Sequence, residues 1–180
     1  MIHRVQFEEW VPFPLDVVFL FFASPQNLPR IMPPASDTRI HRLNLVPPSA
    51  PTGVIPATKQ PLAGVGSEIV TSVRLIPFLP FRAPWIARVT EFEWNHHFAD
   101  ILEKGPFKTW HHRHEFAAET RNGVAGTRVS DRIEYEVGFG LPGTLVQRLF
   151  VRPQITRTFL HRQTVLGALL LGVDHRTLFQ

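Results

Sequence analysis

Residues 107–137 alternate between polar and apolar with period two on both sides of an Asn122-Gly123 pair. That pattern predicts a β-hairpin, because the two central residues of the tightest hairpin turn need positive φ and Asn-Gly supplies it. One face carries Trp110, His112, His114 and Phe116, then Val129, Asp131, Ile133, Tyr135 and Val137. The other carries Thr109, His111, Arg113 and Glu115, then Arg128, Ser130, Arg132, Glu134 and Glu136. The second set is that of a solvated sheet face. The first is apolar except for two histidines, an aspartate and a tyrosine, which must be paired, wetted by a cavity, or used.

Centring the turn on Asn122-Gly123 places 110 opposite 135, 112 opposite 133, 114 opposite 131 and 116 opposite 129. His114 is then expected to face Asp131. A longer loop using Gly126 would move the pairing by two residues and leave both on the same face. A cross-strand ion pair beneath a helix and a working His–Asp site are both open at this point.

The rest of the chain supports a sheet with few helices. His3 to Glu9 alternates as a first strand, and Pro14 suits the first turn of a helix over Leu15 to Ala23, with Asp16 near its positive end. A short second helix is expected over Gln26 to Ile31, and Met32-Pro33-Pro34 forces an extended exit. Strands follow at Asp37 to Leu45, Ser67 to Leu75, Trp85 to Trp94 and His97 to Glu103. The segment Val46 to Val65 holds five prolines and reads as a stiffened loop, either a lid or a simple insertion.

After Gly138-Phe139-Gly140 the period becomes helical. A helix is expected to open at Pro142 or Gly143, with Pro153 kinking it or starting another. Beyond Pro153 the apolar stripe is Ile155, Phe159, Arg162, Leu166, Leu169 and Val173, which predicts a helix over 154–171 packed on the sheet. Arg162 stands in the middle of that stripe. It must meet a carboxylate, reach internal water, or snorkel past the sheet edge.

At 180 residues the chain is expected to be one domain, 1–180. The 15 Phe and 4 Trp suit a lined cavity as well as a solid core. The net charge of +4 comes from dispersed arginines without a basic run, which argues against a nucleic-acid partner. The absence of cysteine excludes disulfide and thiolate chemistry and fits a reducing compartment. No signal-peptide pattern opens the sequence, and the apolar run Val165 to Val173 is about half of the roughly 20 residues a membrane span needs. A cytoplasmic protein without stable membrane insertion is expected.

Several segments together resemble a known family: Val18 to Pro34, Gly105-Pro106-Phe107, Trp110-x-His112-x-His114-x-Phe116, Asp131-x-x-x-Tyr135 and Phe159-x-x-Arg162. They are similar to the START-like (SRPBCC), helix-grip superfamily of polyketide cyclase/dehydrase and lipid-transport domains, closest to its bacterial ligand-binding branch. The resemblance runs nearly end to end. It implies an α+β fold of the Bet v 1-like kind, a seven-stranded antiparallel sheet wrapped around a long C-terminal helix, with two short helices after strand 1 and a hydrophobic cavity between sheet and helix.

The superfamily includes carriers, receptors and cyclases, so the site has to be read from its residues. The leading expectation is binding or carriage of a hydrophobic small molecule, lipid, quinone or polyketide-like. Trp110, Phe116, Ile133, Tyr135 and Phe159 would form the apolar wall, and His112, His114, Asp131 and Arg162 would orient the ligand head. The alternative is a cyclase/dehydratase-type enzyme, with His114 held by Asp131 exchanging a proton and Tyr135 or Arg162 stabilising an enolate oxygen. A metal held by His112, His114 and Asp131 is a third reading. Strand His-x-His is weakly specific, so neither metal nor cofactor is expected.

Overall fold

Asn122 and Gly123 take φ of 50° and 78° in the computed structural model, and the chain folds back between two 13-residue strands, β6 (Thr109–Arg121) and β7 (Val124–Glu136). Their pairing is the expected one: Trp110 with Tyr135, His112 with Ile133, His114 with Asp131, Phe116 with Val129. Gly126 is not part of the turn. It lies within β7, where an added Cβ would meet the carbonyl oxygen of Val11 at 2.4 Å and the Trp10 ring at 2.5 Å. The structure describes residues 1–49, 60–76, 79–138, 145 and 147–172.

The other strands are β1 (His3–Val11), β2 (Arg39–Asn44), β3 (Glu68–Val73), β4 (Ala83–Glu93) and β5 (His97–Lys104). All pair antiparallel in the order β1-β7-β6-β5-β4-β3-β2. Sequential hairpins account for β2 through β7. The first strand adds to the last, which leaves β1 and β2 at opposite edges and sends the intervening helices across one face. Those helices are α1 (Leu15–Ala23), a 3-10 turn (Pro25–Asn27) and α2 (Leu28–Ile31). Val17, Val18, Phe19, Leu20 and Phe21 of α1 are all buried, so this helix is covered nearly all round.

The C-terminal helix α3 (Arg152–Leu171) follows directly on a π-helical turn at Gln147–Val151, and Pro153 stands at the junction of the two. The expected opening at Pro142 or Gly143 lies outside the described residues. The buried positions of α3 are Ile155, Phe159, Arg162, Leu166 and Leu170. Leu170 is the more deeply buried and the expected Leu169 packs beside it half-buried against the same cluster, because 3.6 residues per turn carry a strict 4-3 repeat slowly off the buried face. Val173 lies outside the described residues.

Of the Pro-rich 46–65 segment, residues 50–59 lie outside the described residues and the lid reading with them. Its ends are pinned: Gly64 N–H donates to Val46 O at 2.8 Å and Ala63 N–H to Ala23 O at 3.0 Å. On the outer sheet face Ser130 departs from expectation. It is buried, because Glu8 and Arg128 close over it at 3.4 and 3.1 Å.

Candidate ligand site between the sheet and the C-terminal helix

The inner face is built in rows across β1, β7, β6 and β5. One row runs Phe7, Asp131, His114, Phe98; the next runs Val5, Ile133, His112, Asp100. A polar belt therefore crosses an apolar face. On one side lies an apolar cluster of Trp110, Ile133, Tyr135, Ile155 and Phe159, with Phe7, Trp85 and Phe107 packed against it. On the other lies the larger cluster of α1, with Phe19, Phe98, Phe116, Val129, Leu166 and Leu170.

The expected apolar wall is accordingly divided. Trp110, Ile133, Tyr135 and Phe159 pack together, whereas Phe116 belongs to the α1 cluster, its ring 5.2 Å from that of Phe19. The cause is register: Phe116 stands two residues closer to the turn than His114, on the far side of the belt.

Arg162 does not snorkel. It is 4 % exposed, its Nη1 donates to Asp131 Oδ1 at 2.9 Å, and its Nη2 donates to Asp131 Oδ2. Its Nε donates to Glu9 Oε1 at 2.9 Å. The guanidinium lies 5.2 Å from the Phe22 ring centre and 4.7 Å from that of Phe159, in range for cation–π attraction. Phe159 in turn stacks on Phe7 at 4.4 Å. Helix and sheet thus meet through an ion pair framed by aromatic rings.

His112 Nε2 and Asp131 Oδ1 share a hydrogen bond of 2.9 Å. His114 Nδ1 is 2.8 Å from the same oxygen, the direct cross-strand pair that the register predicts. Among the described residues Glu9 Oε2 is buried without a hydrogen-bond partner. The two imidazole rings are 3.9 Å apart. The Tyr135 hydroxyl accepts from Gln147 Nε2 at 3.1 Å.

Charge balance within the belt is uneven. Burial alone would push the Asp131 carboxyl up, but the Arg162 guanidinium, with His114 and the His112 bond, holds it well below the usual carboxylate range. Burial pushes Glu9 up, with Arg162 opposing and Asp131 adding to the rise. Burial likewise raises Asp100 against the pull of His112 and His111. His112 is pushed down by burial and then by His114, in spite of Asp131. The belt is thus a neutral-leaning imidazole, a firmly ionised Asp131 and Arg162, and two carboxyls biased toward their protonated forms.

Glu9 and Asp100 are the members that sequence reasoning missed. The signal for Glu9 was present, since it continues the inward parity of Val5 and Phe7. Asp100 likewise shares parity with Phe98 and Leu102. Asp131 is a poor third metal ligand beside His112 and His114, because Arg162 takes both its oxygens. Asp100, His112 and His114 do bring donor atoms within 4.8 Å of one another, but His112 Nε2 is already committed to Asp131.

A sheet gripping one long helix, with two short helices after the first strand and a polar belt between them, defines a helix-grip protein of the START-like class. The sequence profile described as polyketide cyclase / dehydrase and lipid transport matches residues 11–164, and the chain belongs to that family. No curated protein matches the chain in sequence. Among solved structures it is similar to TTHA0849 from Thermus thermophilus, at 15% identity and a TM-score of 0.66, over 96% of this chain and 99% of that one. A START superfamily protein from Mycobacterium smegmatis gives 16% and 0.62 over 96% and 99%. A norcoclaurine synthase point mutant from Thalictrum, in complex with a transition state analogue, gives 13% and 0.59 over 96% of each chain. At these identities the likeness speaks to the fold alone. No helix among the described residues is long and apolar enough to cross a membrane.

Proposed function

We propose that the protein binds and carries a hydrophobic small molecule, of lipid, quinone or polyketide-like class, between the sheet and α3. The observation that carries this reading is a buried polar belt on an otherwise apolar face, in which Glu9 Oε2 is left without a hydrogen-bond partner among the described residues. Such an atom costs about 1–3 kcal/mol, and the polar head of a ligand would offset that cost. Trp110, Ile133, Tyr135 and Phe159 are the proposed apolar contacts, with Phe116 across the belt. His112, His114, Asp131 and Arg162, with Glu9, are the proposed head-orienting groups. Family membership supports the same class of ligand.

The second reading is a cyclase/dehydratase-type enzyme, favoured by a largely neutral His112 oriented by Asp131, an arrangement suited to proton exchange. It stands second because its principal anion-stabilising group is occupied. Arg162, the cation that would stabilise an enolate, already donates to two carboxylates.

Native mass spectrometry of the protein as purified from cells tests the proposal, followed by fluorescence titration with a lipid, a quinone and an aromatic polyketide. The expected result is a 1:1 complex with at least one class, weakened about tenfold or more in His112→Ala. A folded protein that binds none of them would overturn it. Turnover of a bound polyketide, abolished in the same variant, would favour the second reading.

A further inference from the structure

The β4–β5 turn, on the solvent side of the sheet, carries the sequence Glu93-Trp94-Asn95-His96-His97. Three of its donor atoms converge. His96 Nδ1 is 2.9 Å from His97 Nδ1, and Glu93 Oε2 is 3.3 Å from the first and 3.4 Å from the second. We propose that this turn is a binding site for one divalent transition-metal ion of the zinc class, ligated by Glu93, His96 and His97.

The two imidazole nitrogens, 2.9 Å apart, are at ordinary hydrogen-bond distance; it is the carboxylate spacing that suits an ion. At 3.3 and 3.4 Å the carboxylate is too far for good charge-assisted hydrogen bonds, which lie near about 2.7–2.9 Å. The same separations match the edge of a tetrahedron around an ion with bonds of about 2.0–2.1 Å. Three atoms so spaced lie about 1.9 Å from their common centre, so an ion roughly 0.9 Å off their plane is at bonding distance from all three. Two imidazoles and one carboxylate suit zinc, cobalt, nickel or copper better than calcium or magnesium.

The surroundings hold the site in place. His97 turns its other nitrogen, Nε2, to Glu91 Oε2 at 3.3 Å, and Glu91 is itself bound by Arg113. At that distance Glu91 places a negative charge behind the His97 ring, which favours its basicity, rather than a short hydrogen bond. The turn is tied down by Phe116 N–H donating to His96 O at 2.8 Å and by Trp94 Nε1 donating to Ser49 O at 2.6 Å. The Trp94 ring packs on Phe92 and Phe19 at 5.1 and 6.0 Å. The side chains of Glu93 and His96 are 63% and 65% exposed, so an ion has an entry path and water can complete its shell. The site is separate from the polar belt: His97 pairs with Glu115 on the outer face, whereas its neighbour Phe98 pairs with His114 on the inner one.

Isothermal titration of the metal-free full chain with zinc chloride, and cobalt absorption spectra, test the proposal. One zinc per chain is expected, with affinity falling at least about tenfold in Glu93→Gln or His96→Ala and binding lost in the double variant H96A/H97A. Circular dichroism would verify folding, and His96→Ala, on an exposed side chain, serves should the double variant misfold. His112→Ala should bind zinc as the parent does. Absence of stoichiometric binding in the parent, or binding that survives H96A/H97A and disappears in His112→Ala, would overturn the assignment.

Discussion

Arg162 of α3 and Asp131 of β7 stand 31 residues apart in sequence and face each other with two N–H groups on two carboxylate oxygens, both side chains at 5% exposure or less. The pair is the polar joint between helix and sheet. Because the same carboxylate also receives His112 and approaches His114, any group entering the belt acts on a network already under mutual electrostatic load.

Removing one member of this joint should be costly. Arg162→Met leaves Asp131 ionised and Glu9 close by without their cation, and a loss of about 3–5 kcal/mol is expected. Pairing it with Asp131→Leu should restore part of that loss, since two apolar groups replace two charges. Urea denaturation of the single and double variants measures both. A double variant as unstable as the sum of its singles would show that the ion pair is not the joint.

Glu9 should make stability fall as pH rises. Its folded-state value lies above the unfolded one, so its contribution is present below the unfolded pKa of roughly 4.3 and is lost as pH climbs through the raised value. Asp131 acts in the opposite sense. Its depressed value gives stability above about 3.9 that is lost only on acidification through the lower folded-state value. Glu9→Gln removes the first effect and keeps the second. The difference in melting temperature, variant minus parent, should therefore grow more positive from about pH 4.5 to about pH 7. A flat difference would refute the raised value.

His112 should titrate below the ordinary histidine value, and its value should fall further in Asp131→Asn, which removes a hydrogen bond and a negative charge that favour the cation. Its contribution to stability is present above about 6.5 and is lost as pH falls through the depressed value. Imidazole 15N NMR across pH 4 to 8 reads the shift; an unchanged or higher value in the variant would contradict the geometry.

Two glycines of the central hairpin separate backbone strain from crowding. Gly123→Ala meets no atom within 4 Å but keeps φ of 78°, so about 1 kcal/mol is expected. Gly126→Ala would push a methyl into the Val11 carbonyl and the Trp10 ring, and should cost about 1–3 kcal/mol or more. Thermal melts rank them, and the reverse order would mean that the β1–β7 contact yields freely.

The hairpin, its register and most of the buried helix stripe were legible in the sequence because period and turn chemistry are local properties, whereas the seven-stranded antiparallel sheet was implied by the family resemblance. Parity alone put His112, His114 and Asp131 on one face. Parity does not say that one carboxylate meets both histidines: Asp131 pairs with His114 directly opposite and is also reached by the hydrogen bond of His112. Nor does it connect elements far apart in the chain. Glu9 and Arg162 are 153 residues apart, and only the addition of β1 to β7, with α3 laid across them, brings their charges together. Two alternating strands can state which way their residues point; what they point at depends on the helix that packs over them, and that is fixed by the closure of the whole sheet.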